Sequence, residues 1–181
     1  VVYTYVLNVP PGLYRVRAGA RDEATGSIGS AQEWIEVPDL AKQKIVLSSI
    51  VAERGSASIG SPLGTVAEGL KASPDLVNFS VDRRFNLNSS LGFVVFIYSA
   101  ARPDTPPDVV VQVQVLRNGQ PVITTSLRKV STKGLPDLTR LPYAAEISLE
   151  HLPAGRYLLQ VTAIDRVSKA ADTQSLRFTI E

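Results

Sequence analysis

The sequence predicts an all-β chain in two parts, the closing strands of one β-sandwich followed by one complete β-sandwich. Three observations predict it. The chain repeats itself: Pro11-Gly12-Leu13-Tyr14-Arg15-Val16 recurs as Ala154-Gly155-Arg156-Tyr157-Leu158-Leu159, Ala20-Arg21-Asp22 as Ala163-Ile164-Asp165, and Ile35-Glu36-Val37 as Phe178-Thr179-Ile180. The offset stays at 143 residues throughout (155 − 12, 165 − 22, 180 − 37), so neither copy carries an insertion. Apolar and polar residues alternate with period two, the mark of a sheet with one wet face. Turn residues punctuate the second part at regular intervals, as in sandwiches, and no segment has a convincing helical period.

Each copy of the repeat reads as turn, strand, loop, strand. The first copy closes by residue 37, too early for a whole sandwich to precede it within the chain. Residues 1–40 are therefore read as the C-terminal part of a β-sandwich domain, and residues 41–181 as a complete one.

The elements follow in order. Residues 2–9 are rich in Tyr and Val and alternate, which predicts a strand. Pro10-Pro11-Gly12 is a turn. Leu13 to Ala20 is a strand with Tyr14, Val16 and Ala18 on one face and Arg15 and Arg17 on the other. Asp22 to Ser30 is a loop, and Gln32 to Val37 a third strand with Trp34 facing away from Ile35 and Val37. Three strands bury only one face, so residues 1–40 are not expected to form a self-sufficient sandwich. A linker begins at Pro38-Asp39-Leu40.

Lys44 to Val51 is the first strand of the second part. Glu53 to Asp75 is rich in Gly, Ser, Ala and Pro and is read as an irregular connection. Val77 to Phe85 holds a short strand, and Gly92 to Ser99 is a core strand. Pro103 to Pro107 is a turn. Val109 to Arg117 is a strand, followed by Asn118-Gly119, the strongest short hairpin signal. Gln120 to Val130 returns, Thr132 to Pro142 is a loop, and Ala144 to Leu149, Arg156 to Asp165 and Thr173 to Ile180 complete the eight or nine strands.

Composition excludes several classes of function. The 181 residues are 44% hydrophobic and 20% charged, with net charge +2. No Lys/Arg run is interleaved with aromatics, so nucleic acid is not an expected partner. The longest apolar stretch, Leu91 to Ala101, is too short to span a bilayer. With Cys absent there is no disulfide framework and no thiolate metal site.

Leu152-Pro153-x-Gly155-x-Tyr157-x-x-x-Val161 resembles the approach to the penultimate strand of fibronectin type III and immunoglobulin-like sandwiches. In those domains a tyrosine at this corner hydrogen-bonds to nearby backbone, and Tyr14 would do the same in the first part. The segments Leu7 to Arg17, Gly29 to Leu40, Leu141 to Glu146 and Gly155 to Arg166 resemble the C-terminal halves of bacterial, acidobacterial-type VWFA-related domain proteins. That resemblance covers most of the chain. It implies an upstream von Willebrand A-type domain behind a secretion signal, hence an extracytoplasmic location, periplasmic or secreted. The Asp-x-Ser-x-Ser of that domain's metal site does not occur here.

No catalytic constellation emerges. His151 is the only His, and a general base needs a nucleophile and an orienting group beside it; a turn histidine is the simpler account. Gly55 to Gly64 lacks the Gly-Lys-Ser/Thr of a phosphate cradle. Asp22 and Asp165 hold matching places after their strands. Calcium wants six or more oxygens, so they are read as loop-capping residues. No metal, cofactor or catalytic residue is assigned.

The expected function is a non-catalytic, extracytoplasmic protein–protein interaction or structural module, a subunit of a larger envelope or membrane-attached assembly. Partner-binding candidates are Trp34, Arg15 and Arg17 on the first part and Ser58, Leu63 and Leu70 in the long connection. An outward Trp anchors a protein interface, stacks on sugar or covers a join between domains. A carbohydrate-binding module and an accessory domain of an enzyme are therefore the alternatives.

Overall fold

A computed structural model describes residues 5, 7–40, 45–55, 80, 82–99, 106–135 and 137–181. Every regular element among them is a β-strand. The chain divides into two compact units, Val1–Gln43 and Lys44–Glu181. Among the described residues no helix is long and apolar enough to cross a membrane.

The first unit is one antiparallel hairpin of β1 (Gly12–Arg21) and β2 (Ile28–Val37), paired from Gly12↔Val37 to Arg21↔Ile28. Two sequence expectations are corrected here. The strand expected over residues 2–9 does not form where it is described: Tyr5 and Leu7 to Pro10 lie outside any ladder. A strand exists only against a hydrogen-bonded neighbour, and among the described residues β1 pairs with β2 alone. The loop expected to reach Ser30 is shorter, because the ladder runs to Arg21↔Ile28 and pulls Ile28 to Ala31 into β2.

The second unit is a sandwich of two sheets. One contains β3 (Ile45–Leu47), β4 (Val51–Gly55), β6 (Ser90–Ser99) and β10 (Arg140–Ser148), with β6 central. The other runs β5 (Arg84–Phe85), β12 (Ala170–Ile180), β11 (Gly155–Asp165), β7 (Val109–Arg117), β8 (Gln120–Thr124), with β9 (Arg128–Lys129) also on β7. Among the described residues only the short β5–β12 pair is parallel. Alternate residues turn inward. Leu91, Phe93, Val95 and Ile97 of β6 join Val109, Val111, Val113 and Val115 of β7 and Tyr157, Leu159, Val161 and Ala163 of β11 in one buried cluster. Removing such surface from water contributes about 25 cal/mol per Å2, and this shared core is what holds the two sheets face to face.

The strands are more broken than the sequence suggests. The one strand expected over residues 44–51 is two, β3 and β4. Leu47 pairs with Ile97 and Val51 with Val94, four steps against three, so one extra residue bulges out. Ser48 holds the bulge: its amide donates to the Phe96 carbonyl at 2.8 Å and its hydroxyl accepts from the Phe96 amide at 2.9 Å. That arrangement also explains Pro142, expected in a loop and found inside β10. Pro142 sits opposite Phe96, whose polar backbone is already turned toward Ser48, so the missing proline N–H costs no ladder bond.

The return strand expected over 120–130 is likewise split. A register shift occurs between Val115 and Leu116, and the Thr125 hydroxyl accepts the Val113 amide at 3.0 Å in place of a ladder carbonyl. The Asn118-Gly119 turn has φ of 52° and 79°, the left-handed pair a two-residue hairpin requires. Glu53 to Gly55, expected in the irregular connection, complete β4. The short strand expected within residues 77–85 is β5, at Arg84–Phe85. β12 starts at Ala170 instead of Thr173. Residues 56–79 and 101–105 lie outside the described residues.

Candidate interaction surfaces

The repeat in the sequence is a repeat in three dimensions. β11 and β12 pair with Gly155↔Ile180, Tyr157↔Phe178 and Ala163↔Asp172, which at the 143-residue offset are Gly12↔Val37, Tyr14↔Ile35 and Ala20↔Gly29 of β1 and β2. The corner is duplicated. The Tyr157 hydroxyl donates to the Pro153 carbonyl at 2.6 Å and the Tyr14 hydroxyl to the Pro10 carbonyl at 2.7 Å. Gly12 and Gly155 open the strands with φ of 156° and 153°.

The far turn is duplicated as well. Asp165 accepts the Val167 amide at 3.0 Å and the Ser168 hydroxyl at 2.6 Å. Asp22 accepts the Ala24 amide at 2.9 Å and the Thr25 hydroxyl at 2.9 Å. The Thr25 hydroxyl, followed by the Ala24 and Thr25 amides, holds the Asp22 carboxyl below its ordinary value. Both aspartates cap loops, as read from the sequence. Among the described residues no three His, Asp or Glu side chains cluster as a metal site would need.

What differs is the cover. In the second unit Tyr157, Leu159, Phe178 and Ile180 are at most 3% exposed, beneath the opposite sheet. Their counterparts Tyr14, Val16, Ile35 and Val37 form the same apolar face on β1–β2, yet Val16 is 38% and Ile35 42% exposed. Sequence reasoning expected one uncovered apolar face on residues 1–40, but of the hairpin's residues it named only Trp34, Arg15 and Arg17, on the other face, as binding candidates. The signal was present: the 143-residue offset maps each onto a core residue.

Trp34 lies opposite Arg15 on the second face of the hairpin, with Arg17 next along the same side opposite Gln32. The tryptophan faces away from Ile35 and Val37, as its phase predicts, and is 59% exposed. The Arg15 guanidinium sits over the indole, 5.5 Å from the ring centroid, an exposed cation–π contact contributing about 0.5–1 kcal/mol. The structure therefore brings Trp34, Arg15 and Arg17 together. Ser58, Leu63 and Leu70 lie outside the described residues. His151 is exposed in the turn between β10 and β11, at φ 66°.

No family model matches the chain, and no curated protein matches it. Among solved structures it is similar to a family 123 glycoside hydrolase from Clostridium perfringens, studied for glycolipid glycan hydrolysis, at 10% identity and a TM-score of 0.35. The match covers 74% of this chain and 27% of that one, so the chain spans about a quarter of the hydrolase. A likeness of that degree leaves the reading of this chain to its own residues.

Proposed function

We propose that the chain is a non-catalytic protein–protein interaction or structural module of an extracytoplasmic assembly, attached to the envelope or a membrane complex. One observation carries this reading. Hairpin β1–β2 reproduces the corner, register and turn of hairpin β11–β12, whose inner face is buried, while its own inner face of Tyr14, Val16, Ile35 and Val37 is open. An apolar sheet face of this kind normally marks a contact surface. The fitting partner is a protein that presents a β-sheet with an apolar face, so that both units become immunoglobulin-like sandwiches. The resemblance to VWFA-related proteins supports the location and the setting in a larger assembly.

Site-specific photo-crosslinking in the producing cell tests the reading. A benzophenone side chain at position 35 is expected to capture a β-strand peptide of the partner, and one at position 34 is expected to capture less. Position 87, exposed on the second unit, is the control. If position 35 crosslinks no more than position 87, the interaction reading is wrong.

A carbohydrate-binding module is the second reading, and the exposed indole of Trp34 favours it. The Arg15 guanidinium already occupies one face of that ring, and sugar recognition would have to displace it or use the other face. An accessory role beside an enzyme is the third reading. Nucleic acid is outside all three, because the sequence has no Lys/Arg run interleaved with aromatics.

A further inference from the structure

We infer that the outer face of the six-stranded sheet carries a separate binding site, a cleft for a small organic oxyanion joined to a short apolar body. The strand alternation that buries Tyr157 and Phe178 turns their neighbours Arg156, Leu158 and Arg177 to the outside. Leu158 pairs with Leu116 of β7 on one side and with Arg177 of β12 on the other. This row forms the floor and one wall of an open cleft of about 510 Å3. That volume is within the range of small-ligand sites, roughly 300–1,000 Å3.

The charges in the cleft are unbalanced. Three arginines line it, Arg83, Arg156 and Arg177, against one acidic residue, Asp82. Asp82 accepts the Ser80 hydroxyl at 3.0 Å and the Arg84 amide at 3.4 Å. Two further arginines nearby are committed elsewhere. Arg84 pairs with Glu181 at 2.5 Å, and Arg117 donates to the Ala154 carbonyl at 3.3 Å while lying over the Tyr157 ring. The side chains of Arg83, Arg156 and Arg177 make no hydrogen bond or ion pair among the described residues. Three positive charges against one negative repel on balance, and an anion relieves that repulsion.

The placement is rigid. Arg83 is held in the left-handed region, at φ 54°, with its carbonyl accepting the Thr179 amide at 2.9 Å. Asn118, on the opposite rim, is also left-handed, at φ 52°. At Asn118 this is the ordinary conformation of the hairpin turn; at Arg83 a non-glycine residue is held there by the surrounding structure. Guanidinium forks match the planar or tetrahedral oxygens of carboxylate, sulfate and phosphate. The half-buried Leu116 and Leu158 supply the apolar floor.

The test is an NMR titration of the isotope-labelled chain with phenyl phosphate, inorganic phosphate and phenol. Phenyl phosphate is expected to bind saturably, shifting the amides of Arg156, Leu158 and Arg177. The R156Q/R177Q variant is expected to weaken it about tenfold or more, since two charge-assisted contacts are lost. Arg128→Gln removes the same kind of charge at the opposite end of β7 and is expected to change affinity less than about twofold. R156K/R177K keeps the charge and serves where the glutamine variant unfolds; it is expected to fall between the two, because lysine lacks the bidentate fork. Failure to saturate, equal affinity in R156Q/R177Q, or equal loss in Arg128→Gln overturns the site. Inorganic phosphate or phenol binding as tightly as phenyl phosphate overturns the two-part ligand.

Discussion

Hairpins β1–β2 and β11–β12 have the same register, the same tyrosine corner and the same aspartate-capped turn, but only one of them lies inside a sandwich. β11–β12 is flanked by β7 and β5 and faces the sheet of β3, β4, β6 and β10; β1–β2 has no third strand among the described residues. The local geometry is therefore set within the hairpin itself. The corner bond spans four residues, and the Asp22 and Asp165 turns close through bonds two and three residues long. The cover adds burial and the stability that comes with it.

The largest contrast is expected in the core position of the central strand. Leu159→Ala, fully buried, should destabilise the chain by about 2–5 kcal/mol. The matching Val16→Ala, at 38% exposure, should cost less than about 0.5 kcal/mol. Urea unfolding of each variant measures both. A Val16→Ala cost equal to that of Leu159→Ala would mean that the β1–β2 face is already covered in the isolated chain.

The corner glycines come next. A Cβ at Gly155 would meet the Arg117 guanidinium at 3.2 Å, and the backbone at φ 153° strains any L side chain. Gly155→Ala should cost about 1–3 kcal/mol and push the Arg117 guanidinium by a few tenths of an ångström. Gly12→Ala has its nearest neighbour, the Tyr14 ring, at 3.5 Å and carries the backbone strain without the tight contact. Thermal unfolding should rank Gly155→Ala below Gly12→Ala, and the reverse order would break the equivalence drawn between the two corners.

Smaller again is the corner hydroxyl. Tyr157→Phe leaves the Pro153 carbonyl without its donor and should cost about 1 kcal/mol. Tyr14→Phe exposes the Pro10 carbonyl to water that replaces the bond, so its cost should be a few tenths. If β1–β2 is covered by a partner, the Tyr14→Phe cost should rise toward that of Tyr157→Phe when the partner is present, read as a difference in complex dissociation.

The smallest effect is expected at the Asp22 turn. Its carboxyl is held below the ordinary 3.8 by hydrogen bonds. The stability it contributes is thus full above the unfolded value and is lost as pH falls through the lower folded value. A carbonyl-detected NMR titration should place the Asp22 midpoint below 3.8. Asp22→Asn should remove that acid-side slope, and a midpoint at or above 3.8 would separate this turn from its hydrogen bonds.

Much of this was legible in the sequence. The offset repeat located both hairpins, both corner tyrosines and both capping aspartates, because each is a short-range pattern. Alternation placed Trp34 opposite Ile35 and Val37, and Asn118-Gly119 marked its turn. The breaks in the strands were less legible. The bulge at Ser48 depends on where Phe96 lies across the sheet, and nothing in Lys44 to Val51 announces it. Pro142 read as a loop residue because its tolerance in β10 depends on the same Phe96. The arginine cleft escaped because Arg83 is distant in sequence from Arg156 and Arg177, and only the parallel β5–β12 pairing brings them together.

The sequence by itself determined the all-β class, the repeated hairpin, and the inward and outward faces of its strands, since period-two alternation and turn chemistry act over a few residues. Only the tertiary structure decided which of two equivalent faces is buried, where the ladders break, and which arginines share a cleft. Those outcomes depend on residues that are distant in the chain and become neighbours only when strands pair and sheets pack.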